Sequence, residues 1–439
     1  MVGKKRKKLH APGQTSHSEK NIKISEIVSS LKDYVHSLRD RLHRIPELRW
    51  EEQKTVTLVK KTIEGIMKQK SVGRDVADVN MVELTGGVVV NVTLTRKKRV
   101  GGKALLLRAD LDGLPVEEPD SDISSQHKGK MHACGHDMHT AMLLTALRAV
   151  LCSGAPIGEN IQSLKFVFQR AEENPITESG GSHLVNVENV TEGVDECYGL
   201  HVWASLPSGK FATAAGPFMA NSDRLNVEIQ CSGGHASQPH QASNAIDVST
   251  DIIAGLRNFP VQTLGPTEPC ALTPTVLNSH GDASNVIPSK VSLWYGVRTF
   301  LKMDRRIEFH KQLRIKIEKI AAGSFAGTSS DGSVAVNANS ILGHPAVINA
   351  RSTVQSSAGA LKGYFGGERV DAESPQYLAG EDFAHYLNSK PGCFWFLGAN
   401  KPGCGDHHSP SFSPNPEVLG DGVVFWLLLI AGSDVIASQ

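Results

Sequence analysis

The chain has 439 residues, 40% of them hydrophobic, with 46 Lys and Arg against 45 Asp and Glu, a net charge of +1. This is the balance of a soluble globular protein of two or three domains, and it excludes a strongly basic nucleic-acid binder or a protein held on anionic membranes. Seven cysteines without regular spacing argue against a disulfide framework and for a reducing, cytoplasmic setting.

Charge is concentrated in KKRKK, Lys4 to Lys8, and residues 1–20 read as a disordered basic tail. No apolar run follows it, so no secretory signal is expected and the acceptor-like triplets at Asn91 and Asn189 are taken as chance. Ile24, Ile27, Val28, Leu31, Val35, Leu38 and Leu42 recur at three- and four-residue intervals, which predicts an amphipathic helix from Asn21 toward Leu48, stopped by Pro46. A second helix is predicted over Thr55 to Met67, and a hairpin turning at Gly86-Gly87 over Met81 to Leu94.

Ala104 to Leu107 is a short continuous apolar run, as expected of a strand buried on both faces, and Arg108, Asp110 and Asp112 follow it. Lys130 to Thr140, KMHACGHDMHT, then places His132, Cys134, His136, Asp137 and His139 within a few residues. The strand pattern recurs at Leu164 to Phe168 leading into QRAEEN, at Tyr198 to Leu200 leading into His201, and at Cys393 to Leu397 leading toward Asp406, His407 and His408. Open α/β sheets bind ligands beyond the carboxyl ends of their strands, so four strands are expected to bring Asp, Glu and His to one edge.

After Gly216-Pro217 the pattern changes. Leu225, Val227, Ile229 and Cys231 alternate, Asn244 to Asn258 is helical, Val291 to Val297 alternates again, and a helix is predicted from about Asp304 to Ala321. Residues 218–332 are therefore an inserted α+β domain, with Gly323 to Ser333 as the return linker, and residues 21–217 and 333–439 form the main α/β domain. The apolar run Val423 to Gly432 is about half the length of a membrane helix and reads as a buried C-terminal helix.

Asp110, Cys134, His136, Glu172, Glu173, His201 and His408 are donors enough for two divalent ions with one ligand shared. Taken singly, each has an ordinary reading as a buried thiol, a packed histidine or an acidic loop; their density argues otherwise. The adjacent Glu172 and Glu173 divide naturally between metal binding and general-base work.

LRADLDGLP, MHACGHDMHT, FQRAEEN, GLHV, SGGHASQPH, SNVIPSKV, GEDF and HHSPSF occur in an order that resembles the aminoacylase-like metallo-amidohydrolases of the zinc-dependent exopeptidase superfamily. That group includes N-acyl amino acid amidohydrolases, hippurate hydrolases and plant auxin-amino-acid conjugate hydrolases. The resemblance spans about Val35 to Leu419. It implies a zinc-peptidase-like catalytic domain with a mixed central sheet flanked by helices, and an inserted ferredoxin-like lid that also makes a homodimer contact. It further implies two Mn2+ or Zn2+ ions on Cys134, His136, Glu173, His201 and His408, Glu172 as general base, and Asp110 orienting a ligand. His235, Asn285 and Arg298 match substrate-binding positions of the lid, and His139 a structural one. The reaction implied is metal-assisted hydrolysis of N-acyl amino acids.

Two departures from the family pattern flank the Ala-Glu-Glu core: Arg170 stands where Pro is usual and Asn174 where Gly is usual, and an inward Arg170 would depress the Glu172 pKa. The rival readings are a carboxypeptidase or dipeptidase, a non-catalytic relative, and a structural zinc protein; an intact Glu172 beside a full donor set speaks against the last two.

Overall fold

The computed structural model describes residues 17–69, 75–95, 102–121, 123–174, 178–281, 283–324 and 334–432; the basic run Lys4 to Lys8 and most of the Gly323 to Ser333 segment lie outside them. The N-terminal apolar periodicity forms two helices, His17–Ser30 and Lys32–His43, which meet at the buried Leu31. Helix begins four residues before the expected start at Asn21, so 17–20 are not tail. The second helix stops before Pro46, and Gln53–Lys68 forms the next.

The core of the main domain is an eight-stranded mixed sheet. Four strands at its centre, Ile161–Gln169, Lys103–Asp110, Glu196–Trp203 and Gly392–Gly398, lie side by side in that order and are all parallel. The hairpin Val76–Leu84 and Gly87–Leu94 adds antiparallel strands on one side, and the short strands Phe211–Ala212 and Val370–Asp371 close the other. Burial on both faces explains the unbroken apolar runs: Leu105 and Leu107 join one core cluster while Leu106, between them, joins another. The helices His136–Cys152 and Leu419–Ala431 pack together within the first cluster. The second of these contains the expected C-terminal apolar run, and no helix among the described residues is long and apolar enough to cross a membrane.

The chain leaves this domain through Gly216–Met219 and returns through Val347–Asn349, which pair as an antiparallel ribbon. Between them, Cys270–Asn278, Lys290–Thr299, Asn221–Gln230 and Ala335–Ile341 form a second sheet in that spatial order, antiparallel throughout. With Ala245–Leu256 and Met303–Gly323 packed on one face, this is the βαββαβ order of a ferredoxin-like unit. The last strand moves a predicted boundary. Because Ala335–Ile341 pairs with Asn221–Gln230, the segment 323–333 joins helix to strand inside the unit, and the inserted domain continues past Ile341 rather than ending at 332.

This inserted domain is pinned to its exit by a buried ion pair. Asp223 accepts from Arg306 Nε at 2.9 Å, lies 2.9 Å from His310 Nε2 and accepts from the Gly343 backbone at 2.9 Å. Burial pushes the Asp223 carboxyl up, but Arg306 and His310 outweigh it and hold it below its ordinary value. Its stabilisation is therefore complete above about pH 4 and is lost as pH falls through the lowered folded value. Asp223→Ala should cost about 3–5 kcal/mol by leaving Arg306 buried without its partner. In urea unfolding followed by tryptophan fluorescence, the gap between variant and wild type should be widest near neutrality and narrow below about pH 4.

Candidate metal centre

The carboxyl ends of the four parallel strands converge on one edge, and each delivers part of a single cluster. Lys103–Asp110 ends in Asp110 and Asp112, Ile161–Gln169 runs into Glu172 and Glu173, Glu196–Trp203 carries His201, and the loop after Gly392–Gly398 brings His407 and His408. Cys134 and His136 come from the N-terminus of His136–Cys152, whose N-cap is Gly135 with φ 90°. A Cβ there would stand 2.4 Å from Val202 Cγ2, so only glycine lets this helix start against the strand carrying His201. Two more residues at the site, Ala171 and His408, hold positive φ angles of 51° and 64°. The His408 N–H donates to the Ala133 carbonyl at 2.9 Å, which docks the last loop onto the Cys134 turn.

Among the described residues five overlapping donor groups result, and two of them share Cys134. In one, ligand atoms of Cys134, His136 and His201 all lie within 4.8 Å of one another; in the other, those of Cys134, Glu173 and His408 do. His136 Nδ1 lies 3.2 Å from Asp112 Oδ1, and its buried Nε2 has no hydrogen bond and stands 3.9 Å from Asp110 Oδ2. His201 Nδ1 donates to the Val202 carbonyl at 2.6 Å, so its Nε2 lone pair faces Cys134 Sγ at 3.4 Å. Glu173 Oε1 also lacks a hydrogen bond, although His408 Nε2 stands 3.1 Å away. Unpartnered buried nitrogen and oxygen converging on a thiol fit a divalent cation.

Charge points the same way. Asp110, Asp112, Glu172, Glu381 and Asp382 are all buried, and the cation packed among them is Arg108, which reaches Asp110 at 2.7 Å, Asp382 at 2.6 Å and Glu381 at 3.2 Å. Burial and the neighbouring Glu381 and Glu173 push Glu172 well above the usual carboxylate range despite Arg108. Glu381 is pushed up to about 8, mainly by burial. Burial also raises Glu173, yet His408 and His136 bring it below its ordinary value. A neutralisable acid beside an ionised one is the division that base and ligand require.

Beside the cluster lies a cavity of about 540 Å³ whose lining includes Cys134, Glu172, Glu173, His201 and His408 from the main domain and Arg224, Gly296 and Arg298 from the inserted one. A family model described as Peptidase family M20/M25/M40 matches residues 106–432. The chain belongs to this family. Membership makes it a hydrolytic enzyme. Among relatives, Thermostable carboxypeptidase 2 of Saccharolobus solfataricus is 30% identical over 414 residues, covering 93% of this chain and 97% of its own. An N-acetyl-L-cysteine deacetylase of Bacillus subtilis is 33% identical over 396 residues (88% and 85%), and an N-acyl-L-amino acid amidohydrolase of Geobacillus stearothermophilus 33% over 285 residues (64% and 71%). Of solved structures, an aminohydrolase from methicillin-resistant Staphylococcus aureus superposes with a TM-score of 0.76 at 25% identity, covering 94% of this chain and 99% of its own. A dinuclear metal binding peptidase of the M20 family from Bacillus subtilis gives 0.71 at 24% identity, covering 92% and 98%.

Within this M20/M25/M40 frame the predicted site residues fare unequally. Cys134, His136, Glu172, Glu173, His201 and His408 are brought together, and Arg298 reaches the same cavity. Asp110 binds Arg108 and, at 2.6 Å, His139 Nδ1, and its Oδ2 lies 3.9 Å from His136 Nε2. Asp112, which was not among the predicted site residues, meets His136 Nδ1 and also accepts from the Glu173 N–H at 2.9 Å. His139 is saturated, since its Nε2 accepts from the Val202 N–H at 2.8 Å, and serves as a structural brace. His235 and Asn285 meet on an exposed ribbon, where the Ala236 N–H donates to the Asn285 carbonyl, and neither lines the cavity of its own chain.

Arg170 points neither at Glu172 nor freely into solvent. Its Nε donates to Glu52 Oε2 at 2.9 Å and its Nη2 to the Trp50 carbonyl at 2.7 Å. Glu52 also accepts from the Ala171 N–H at 2.7 Å, so the pair shapes the turn that presents Glu172. Burial first, then the Asp112 charge, pushes the Glu52 carboxyl up to about 7. A raised acid binds protons in the folded state that the unfolded chain has released, so its contribution weakens stability as pH rises from about 4.5 through 7. Glu52→Gln should flatten that part of the stability–pH curve in thermal or urea unfolding.

Proposed function

We propose that the chain hydrolyses the amide bond of N-acyl amino acids with two divalent cations bound at the sheet edge. The observation that carries this reading is that two of the donor groups, Cys134 with His136 and His201 and Cys134 with Glu173 and His408, have the thiol in common, which suits a ligand shared by neighbouring ions. Cys134, His136 and His201 would hold one ion, and Cys134, Glu173 and His408 the other. Bound there, the ions supply Lewis-acid polarisation of the carbonyl and acidify water. A thiolate and imidazoles favour Zn2+, while the resemblance in sequence points equally to Mn2+.

The protein's own groups do the rest. Glu172 lines the cavity beside the donors, and its raised pKa suits a carboxylate that takes a proton from the attacking water and returns it to the leaving nitrogen. Asp112, 3.2 Å from His136 Nδ1, orients that ring among the donors. Arg298 stands on the cavity wall where a substrate carboxylate would be held. The substrate is a small N-acyl amino acid, acted on in the cytoplasm. A carboxypeptidase is the second reading, favoured by the name of the 30% identical Saccharolobus relative.

With Zn2+ or Mn2+ added, the purified protein should release amino acid from N-acyl amino acids faster than from dipeptides. Glu172→Gln should lower turnover by at least about two orders of magnitude while metal content by mass spectrometry stays at two ions per chain. No bound metal in the wild type, or full activity in the variant, contradicts the proposal.

A homodimer through the inserted domain is part of this reading. Cys270–Asn278 is an edge strand, and Val276, Leu277 and, nearby, Val286 are exposed on it and the adjoining ribbon. Sedimentation should give a dimer for the wild type and a shift toward monomer for Leu277→Lys.

A further inference from the structure

The inserted domain forms one wall of the cavity with the face of its sheet that carries no helices. Asn221–Gln230 and Lys290–Thr299 pair so that Arg224 stands opposite Gly296 and Ser222 opposite Arg298. Leu225, Tyr295 and Val297 belong to the core under the helices, so by strand alternation these four residues share the other face, and all four line the cavity. The two arginines thus lie on a diagonal, about 7–8 Å apart at the backbone, with only a serine and a glycine filling the square. A Cβ at Gly296 would meet nothing nearer than Thr275 Cγ2 at 3.8 Å, so the space between them is open.

Neither guanidinium has a carboxylate partner among the described residues. The Arg224 guanidinium carbon lies over the Trp294 ring, 5.2 Å from its centroid, and its Nε is buried without a hydrogen bond. Arg298 Nη1 reaches only the backbone carbonyls of Asp223 and Val297, at 3.3 and 3.2 Å. The carboxylate of Asp223, next to Arg224 in sequence, is turned to Arg306 and His310. Half-buried cations without counter-charge on a cavity wall are costly unless an anion completes them. The Trp294 ring packs against the Arg224 guanidinium, whose remaining N–H groups suit a planar, bidentate acceptor.

We infer that this wall selects a substrate with two carboxylates on the amino-acid side of the scissile bond: an N-acylated acidic amino acid, its α-carboxylate on Arg298 and its side-chain carboxylate on Arg224. In such a molecule two or three carbons separate the carboxylates, so both face the same wall while the acyl group leads away across the amide. The inference rests on the N-acyl amino acid reading above and narrows it.

The test compares N-acetyl-L-glutamate with N-acetyl-L-glutamine, which differ in charge and hardly in shape. The metal-loaded enzyme should prefer the glutamate by roughly ten- to a hundredfold in kcat/KM, carried by KM, as expected of a hydrogen-bonded charge pair. Arg224→Gln should bring the ratio close to one, and Arg224→Lys should restore part of it without the bidentate geometry. Calorimetric titration of the metal-loaded Glu172→Gln protein with both ligands reads the same preference without turnover. If no N-acyl amino acid is hydrolysed but titration shows a glutamate preference that Arg224→Gln removes, the catalytic reading fails and the two-arginine wall stands. Equal affinity for the two ligands, or a preference that survives Arg224→Gln, overturns the wall.

Discussion

The candidate centre depends on one buried guanidinium. Arg108 sits at the end of a central strand and binds Asp110, Asp382 and Glu381, while its Nε donates to Gln169 at 2.9 Å. Gln169 in turn donates to both oxygens of Asp382 at 2.9 and 2.8 Å, and the Gly181 N–H reaches the same carboxylate at 2.8 Å. Removing one member of such a set leaves a buried charge alone, at a cost of about 3–5 kcal/mol. The network therefore locks the ends of two strands and the loop at 381–382 in one register, and Glu172 is held against it by the Asp382 N–H at 3.4 Å. It also leaves the edge short of positive charge. One arginine does not balance the carboxylates around it, and the nitrogens of His136 and His201 that face Cys134 lie where further cations would complete the balance.

The two domains bring opposite charges to one cavity. The main domain contributes acids and imidazoles, and the inserted sheet contributes Arg224 and Arg298. Both crossings between the domains run through the ribbon of Gly216–Met219 and Val347–Asn349, so the cationic wall is hung on a short antiparallel pair beside the acidic edge.

Much of this was legible from the residues alone, because strands buried on both faces leave continuous apolar runs and polar residues at their carboxyl ends can only face the sheet edge. Leu105 to Leu107, Phe166 to Phe168 and Phe394 to Leu397 all carried that mark. The choice between Asp110 and Asp112 did not. They stand two apart at the end of the same strand, and which one meets His136 is decided by where His136–Cys152 starts, a tertiary matter set by Gly135 against Val202. The strand Ala335–Ile341 escaped notice because its inward residues are small or only partly buried, so its alternation is faint. Arg170 was unreadable for a related reason: its partner Glu52 lies 118 positions away, and proximity to Glu172 along the chain said nothing about direction. His235 is a motif position that the fold leaves exposed on its own chain.

The central claim is that Cys134 serves two metal ions at once. A crystal of the metal-loaded protein, with anomalous data collected at the absorption edge of the bound element, tests it directly. The account predicts two peaks about 3.5–4 Å apart, each within bonding distance of Cys134 Sγ. A single peak, or two of which only one touches the sulfur, would contradict it.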